Sequence, residues 1–392
     1  MGVLSSVRLE SWIAIMITLM ACFTRLSMAA GQVFYVIAIL LSIFYIWKHR
    51  HDLYIPSYVK KYSKTFALML LLLLPSAVLT NNMAVGLPEF INVWLWRIPV
   101  FFVIVLCIRD KKTLFTMLAV FFVDFGIDNL VAFYQHVSGM TDRGWGFGSS
   151  VLTIAGLMVM LVPIFCVILL DSAFPNYVKV SALWALGCVG FGMYGNQSRG
   201  SWLFSMIMVP IVSLPYILKR FIYVVVVLAA LGGVVWGFST QPQYVARFES
   251  ITNTTTDGSN LGRFDVWTSS INMFKDHPVT GVGIGQWRTI YESSYRLPTE
   301  NQHLYHAHNN FIQLLGEVGL LGLLGVLIFY GSIIVDNFVV WFKKRDPYSL
   351  CAMIAVICYV FVFGQVEYTL DNSSGMRIMY FMLATMLQLR DN

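Results

Sequence analysis

The chain has 392 residues, 58% hydrophobic and only 12% charged, whereas a soluble domain carries about 25% charged residues, so a water-soluble globule is excluded. The formal charge of +6 comes from Lys and Arg scattered through short loops. With no basic domain to hold a duplex, nucleic acid is excluded as a partner.

The apolar stretches are continuous rather than alternating, and several reach the roughly 20 residues that a membrane-crossing helix needs. A chain in lipid must satisfy its own backbone, so continuous runs select a helix bundle over a closed barrel. About twelve spans follow in chain order, centred near Ile17, Ala38, Leu71, Pro99, Phe122, Val159, Ala185, Met208, Ala229, Leu323, Ile357 and Met382. Ser11 to Ala30 imitates the apolar core of a cleavable leader. It is long, is interrupted by Arg25 and runs straight into a second apolar stretch, so it reads as the first span. Alternate loops hold the positive charge: Lys48–Arg50 with Lys60, Lys61 and Lys64, then Arg109 with Lys111 and Lys112, Lys179, Lys219–Arg220, and Lys343–Arg345. Short Lys/Arg-rich loops stay in the cytoplasm, which places both termini there. The six cysteines all fall in apolar runs at no metal-ligand spacing and are read as buried apolar residues without disulfides.

The expected fold is therefore all-α, a polytopic bundle. Spans one to nine occupy 1–239, a polar outer segment 240–308, and spans ten to twelve 309–392. Loops beyond about 15 residues in a compact fold are usually functional or disordered, and the aromatic residues between Phe264 and Tyr295 favour a packed one. Within it Leu261–His277 has helical spacing. Ser259 or Asn260 is available as cap, Pro278 stands just past the end, and Phe264, Trp267, Ile271 and Phe274 form one apolar face against the bundle or the membrane surface. Thr280-Gly-Val-Gly-Ile-Gly-Gln has phosphate-loop glycines. The spacing is wrong and no strand precedes it, so a plain flexible turn is the stronger reading.

Three places can carry chemistry: Asn196-Gln-Ser-Arg-Gly-Ser-Trp, Gly262-Arg-Phe-Asp-Val-Trp and His306-Ala-His-Asn-Asn-Phe. The guanidinium forks of Arg199 and Arg263 suit phosphate oxygens, against the plainer reading of arginines snorkelling at helix ends. His308 suits a general base, against a structural histidine beside a helix start with Asn309 and Asn310 ready as caps. His303, His306 and His308 hint at zinc, but no carboxylate or Cys lies in that short stretch to complete four ligands, and no Asp-x-Asp pair on the outer side holds a divalent ion. No metal and no cofactor is expected. Arg25, Arg97, Asp124, Asp128, Glu317, Glu367 and Arg377 lie in or near apolar runs. Such residues rarely face lipid. They either line a cavity or form ion pairs that set helix register, and Asp124 keeps a proton-coupled transporter in view.

Taken in order, Gln197-Ser-Arg-Gly, Gly262-Arg with Trp267, Asp276-x-Pro-x-x-Gly-Val-Gly and His308-Asn-x9-Gly-x-x-Gly resemble the O-antigen ligase and polymerase superfamily. The resemblance implies a glycosyltransferase of the bacterial inner membrane with a periplasmic site. It would move a glycan from undecaprenyl diphosphate to an acceptor, lipid A–core for a ligase or a growing glycan for a polymerase. Arg199 and Arg263 would bind the diphosphate and His308 would serve the acceptor hydroxyl, with inversion and without metal. Arg288, Arg296, Arg25 and Glu367 are further candidates for substrate contact. A lipid-glycan transporter without bond chemistry is the reading from another class.

Overall fold

A computed structural model describes residues 2–80, 82–148, 150–217, 240, 242–298, 300 and 304–391. The chain order is α1 (Gly2–Leu26), α2 (Met28–Lys48), α3 (Ser57–Val78), α4 (Met83–Phe90), α5 (Pro99–Cys107), α6 (Lys111–Val137), α7 (Val151–Leu170), α8 (Asn176–Asn196), α9 (Arg199–Ile217), α10 (Pro242–Glu249), α11 (Gly258–Asp276), α12 (Trp287–Ile290), α13 (Asn310–Lys344), α14 (Pro347–Val356) and α15 (Ser373–Asp391). No strand occurs among the described residues, and the chain is all-helical there.

Among the described residues nine helices are long and apolar enough to cross a membrane, which makes this a multi-pass membrane protein. They cover nine of the twelve expected centres, and α4 and α5 count as one through a π-helical turn at Ile91–Leu95. The expected centre at Ala229 lies outside the described residues, as does the positive pair Lys219–Arg220. Met208 sits on α9 and Met382 on α15, neither among the nine. Arg377, Thr385, Gln388 and Arg390 make α15 less apolar than a lipid-facing span. Every residue from Gly375 to Leu389 is nonetheless buried. α15 is a central pillar packed by α5 and α14, while α1 lies along α2, α6 along α8, and α3 along α13.

Of the ionisable residues in apolar runs, most are ion-paired within the bundle. Arg25 pairs with both Asp124 and Asp128 and lies over the Phe125 ring. This is the register-setting alternative, and it occupies Asp124. Asp128 also accepts from the Phe147 amide at 2.6 Å, which ties the outer loop 138–150 to the pair. Arg97 bonds the Leu370 carbonyl and Asp371.

The expected helix in the outer segment is α11, three residues longer at its start. Its cap is Asp257, whose carboxylate accepts from the Asn260 amide at 2.9 Å, rather than Ser259 or Asn260. Its bundle-facing side also differs from expectation. Gly262, Val266, Ser269, Ser270 and Met273 are buried, whereas Phe264 and Ile271 are 43% and 39% exposed. Small residues let the backbone approach α13 closely, which outranks the size of the apolar side chains in choosing the inner face. The outward face is the apolar one that suits a membrane surface.

The feature that organises the end of the bundle holding α11 is a break in α13. Gly319 has φ 63° and ψ −164° in the middle of the span. Breaking a helix there frees the carbonyls of Gly316 and Glu317 and the amides of Leu320 and Leu321. Residues 278–283 take all four: Val282 N–H donates to Gly316 and Gly283 N–H to Glu317, both at 2.9 Å. Leu320 N–H donates to Pro278 at 2.9 Å and Leu321 N–H to Val279 at 3.2 Å. The glycine-rich stretch is thus neither a phosphate cradle nor a flexible turn. It is a wedge replacing one turn of helix bonds, and Gly281, Gly283 and Gly285 all take positive φ to do so.

Gly319→Ala places a Cβ 2.5 Å from the Val279 carbonyl at a φ that L-residues avoid. It should destabilise by at least about 1–3 kcal/mol, read as a lower thermal unfolding midpoint in detergent. Gly331→Ala, on the same helix with no atom near the added Cβ, should be neutral or stabilising by up to about 1 kcal/mol. Equal midpoints for the two variants would remove the wedge from the account of stability.

Candidate functional site

The wedge supports the first half of α13, and Asn309 caps it by accepting from the amides of Phe311 and Ile312 at 2.9 and 3.1 Å. Asn310, the other expected cap, has a different task. It is fully buried, donates to the Val360 carbonyl at 2.8 Å and the Thr369 hydroxyl at 2.8 Å, and accepts from the amides of Thr369 and Leu370. Those groups are free because α14 widens into a π-helical turn at Ile357–Val362 and then unwinds. The unwound stretch brings Glu367 alongside His308, whose Nδ1 lies 2.9 Å from the carboxylate. His308 itself sits at φ 48°, and no described residue hydrogen-bonds its Nε2. Glu317, buried beneath, accepts from the Gly285 amide at 2.7 Å, from Gln313 at 2.9 Å and from the Tyr368 hydroxyl at 3.3 Å. One carboxylate thereby joins the wedge to the segment that carries Glu367.

The turn between α8 and α9 supplies the opposite wall. Gln197 ends α8 in the left-handed region, φ 53°, and after Ser198 the residues Arg199 and Gly200 open α9. The Arg199 guanidinium bonds the Ser250 carbonyl and hydroxyl at 3.0 and 2.8 Å and pairs with Asp257 at 3.3 Å. Asp257 therefore caps α11 and partners Arg199 at once. Arg263, one turn into α11, bonds the Val366 carbonyl at 3.3 Å. Trp267 bonds the Ala307 carbonyl at 2.7 Å and fixes the approach to His308.

Arg199, Arg263 and His308, from three motifs far apart in sequence, line one cavity of about 330 Å³. Two further arginines line it, and neither was singled out from the sequence. Arg143 stands in the loop between α6 and α7, and its Nε donates to the Asn196 carbonyl at 3.0 Å. Asn196 in turn bonds the carbonyls of Gly144 and Val151, each at 2.9 Å, which fastens the loop to α8. Arg247 lies on α10, and its Nε donates to the Gln197 carbonyl at 3.1 Å. The signal for Arg247 was its place in the segment 240–308 already read as polar, and Arg143 lies outside that segment. Burial and mutual repulsion lower the Arg143 pKa to about 10, with Arg247, Arg199 and Arg263 as the repelling charges. Burial and Arg199 lower Arg263 and Arg247 in the same direction. All stay charged at neutral pH, so the cavity wall is strongly positive, and the start of α9 adds its dipole.

The remaining candidates lie elsewhere. Arg288 pairs with Glu292 and lies over Tyr305, and Arg296 bonds the Glu300 carbonyl. Arg25 is inside the bundle. None of the three lines this cavity, and Glu367 reaches it only through His308. His303 lies outside the described residues. His306 Nε2 contacts the other Glu367 oxygen at 3.3 Å, so ligand atoms of His306, His308 and Glu367 fall within 4.8 Å of one another. The carboxylate that the sequence stretch lacked thus arrives from another segment. The trio is still one donor short of the four that structural zinc favours, and its atoms already serve one another as hydrogen-bond partners.

Residues 182–327 match the family model described as O-antigen ligase, so the chain carries an O-antigen ligase domain. The matched stretch runs from α8 into α13 and includes Arg199, Arg247, Arg263 and His308, while Arg143 and Glu367 lie outside it. No curated protein matches the chain.

Burial pulls the His306 pKa from 6.5 down to about 4, although Glu367 opposes it. For Glu367 burial acts upward, but the bond from His308 and the charges around it win, and its pKa is lowered. Between pH 6.5 and 4 the unfolded chain then binds a proton at residue 306 that the folded chain does not, so stability falls as pH drops through that window. His306→Gln should flatten the slope of unfolding midpoint against pH there. An unchanged slope would show that the pair does not set it.

Proposed function

We propose that the chain is an inverting, metal-independent glycosyltransferase. It moves an O-antigen glycan from undecaprenyl diphosphate to a lipid A–core acceptor on the periplasmic face of a bacterial inner membrane, with both termini in the cytoplasm. The observation that carries this reading is the convergence of Arg199, Arg263 and His308 on one cavity, supported by the O-antigen ligase match over residues 182–327.

Each residue's chemistry suits its role. Arg199 and Arg263 hold the diphosphate and stabilise the negative charge that grows on it as the glycosyl bond breaks. Glu367 on Nδ1 selects the His308 tautomer whose Nε2 is a free base. That nitrogen takes the proton of the acceptor hydroxyl as its oxygen attacks the anomeric carbon from the face opposite the diphosphate. One displacement inverts the centre, and no enzyme-bound sugar forms. Four arginines, rather than a divalent ion, supply the positive charge.

Purified protein in lipid vesicles, given undecaprenyl diphosphate-linked glycan and lipid A–core, should form the joined product with chelator present. His308→Ala should slow transfer about 10²–10⁴-fold, and Glu367→Gln should slow it in the same direction with little change in donor KM. Elongated glycan from donor alone, with lipid A–core ignored, would make the protein a polymerase on the same carrier. Movement of the lipid-linked glycan across the vesicle without any product would make it a transporter. Full activity in His308→Ala would overturn the assignment of the base.

A further inference from the structure

The cavity holds more positive charge than two phosphate-binding arginines require. Besides Arg199 and Arg263, it is lined by Arg143 and Arg247. Arg199 has Asp257 as partner, and His308 has Glu367. Arg143 and Arg247 have no ion-pair partner among the described residues, and each commits only its Nε, to consecutive carbonyls of the same turn, Asn196 and Gln197. Half-buried guanidinium groups repelled by neighbouring arginines, with Asp257 offsetting this only in part and only at Arg247, are costly without an anion, and arginine has no neutral form to retreat to.

We infer that Arg143 and Arg247 complete the diphosphate seat, and that the seat is matched in charge to both ends of the transfer; this rests on the reading of the cavity given under Proposed function. With His308 in its base form, four guanidinium groups against the carboxylates of Asp257 and Glu367 leave a net +2. A lipid diphosphate glycoside is a diester with one negative charge on each phosphoryl group, so the donor brings −2. In the transfer the acceptor oxygen forms its bond to the anomeric carbon. The bond from that carbon to the diphosphate oxygen breaks with its electron pair, and the acceptor's proton passes to His308 Nε2. The departing lipid diphosphate, now a monoester, carries −3 when fully ionised. The seat, with His308 protonated, carries +3. The complex stays neutral throughout, which is the condition under which a water-poor site opposes the reaction least. With Arg199 and Arg263 alone the seat would start at zero and leave the donor's charge unmet. His306 does not disturb the count, since burial keeps it neutral.

The test needs no knowledge of the sugars. The full chain in nanodiscs is titrated with undecaprenyl diphosphate and, separately, undecaprenyl monophosphate. Wild type should prefer the diphosphate at least about tenfold, one charge-assisted contact's worth. Arg143→Gln and Arg247→Gln should each cut that preference at least about fivefold, and Arg143→Lys and Arg247→Lys should restore most of it, because the charge returns without the fork. The preference is a ratio within one sample, so a loss of folded protein cancels. An unchanged preference in both Gln variants, alongside its loss in Arg199→Gln and Arg263→Gln, would overturn the inference and leave the two-arginine seat standing. Equal binding of both lipids by wild type would instead sink the reading of the cavity as a diphosphate site.

Discussion

A helix broken inside a bilayer must find partners for every backbone group it releases, since no water is there to take them. In this protein the break at Gly319 is answered by residues 278–283, which return a bond to each of the four groups freed. That exchange fixes more than α13. It pulls the end of the outer segment into the bundle, so α11, which precedes it, lies against the first half of α13. It also seats Glu317 under the mouth, where Gly285, Gln313 and Tyr368 satisfy its carboxylate. A carboxylate at that depth is tolerable only because it is so fully bonded. The same bonds join the wedge to the stretch that carries Glu367.

The second arm of the mouth is built the same way, by giving unwound backbone a partner. Asn310 bonds three backbone groups that the π-helical turn and the irregular stretch after it would otherwise leave orphaned, and the Thr369 hydroxyl besides. Gly364 leaves room for that side chain, for a Cβ there would meet Asn310. Arg97 fixes the far end of the stretch at Leu370 and Asp371. Glu367 is thus held from both sides before it meets His308.

The arginine wall is assembled by hydrogen bonds to carbonyls more than by ion pairs. Asn196, Gln197, Ser250 and Val366 each offer a carbonyl to one guanidinium. A carbonyl orients the fork without neutralising it, so the charge stays available to a ligand. Even Arg25, which does not line the cavity, contributes to this wall. It holds Asp128, which holds the Phe147 amide, which belongs to the loop bearing Arg143.

The sequence by itself determined the class of the molecule and marked three residues that the fold brings to one cavity. Composition and run length require a helical membrane protein, because lipid permits little else. The motifs around Arg199, Arg263 and His308 mark the groups that share one cavity, because their side-chain chemistry travels with them. The tertiary structure decided which neighbours those groups have. Glu367 stands 59 positions from His308, and Arg143 is recruited by Asn196 across a different turn. Helical periodicity carries no trace of such pairings, since they arise where helices stop. The glycines of 281–285 read as a loose turn because positive φ signals freedom in isolation. Only the broken partner helix turns that freedom into a fixed wedge. On α11 Gly262, Ser269 and Ser270 face inward beside Val266 and Met273 while Phe264 and Ile271 lie outward, because close backbone approach to α13 needs small residues at the contact.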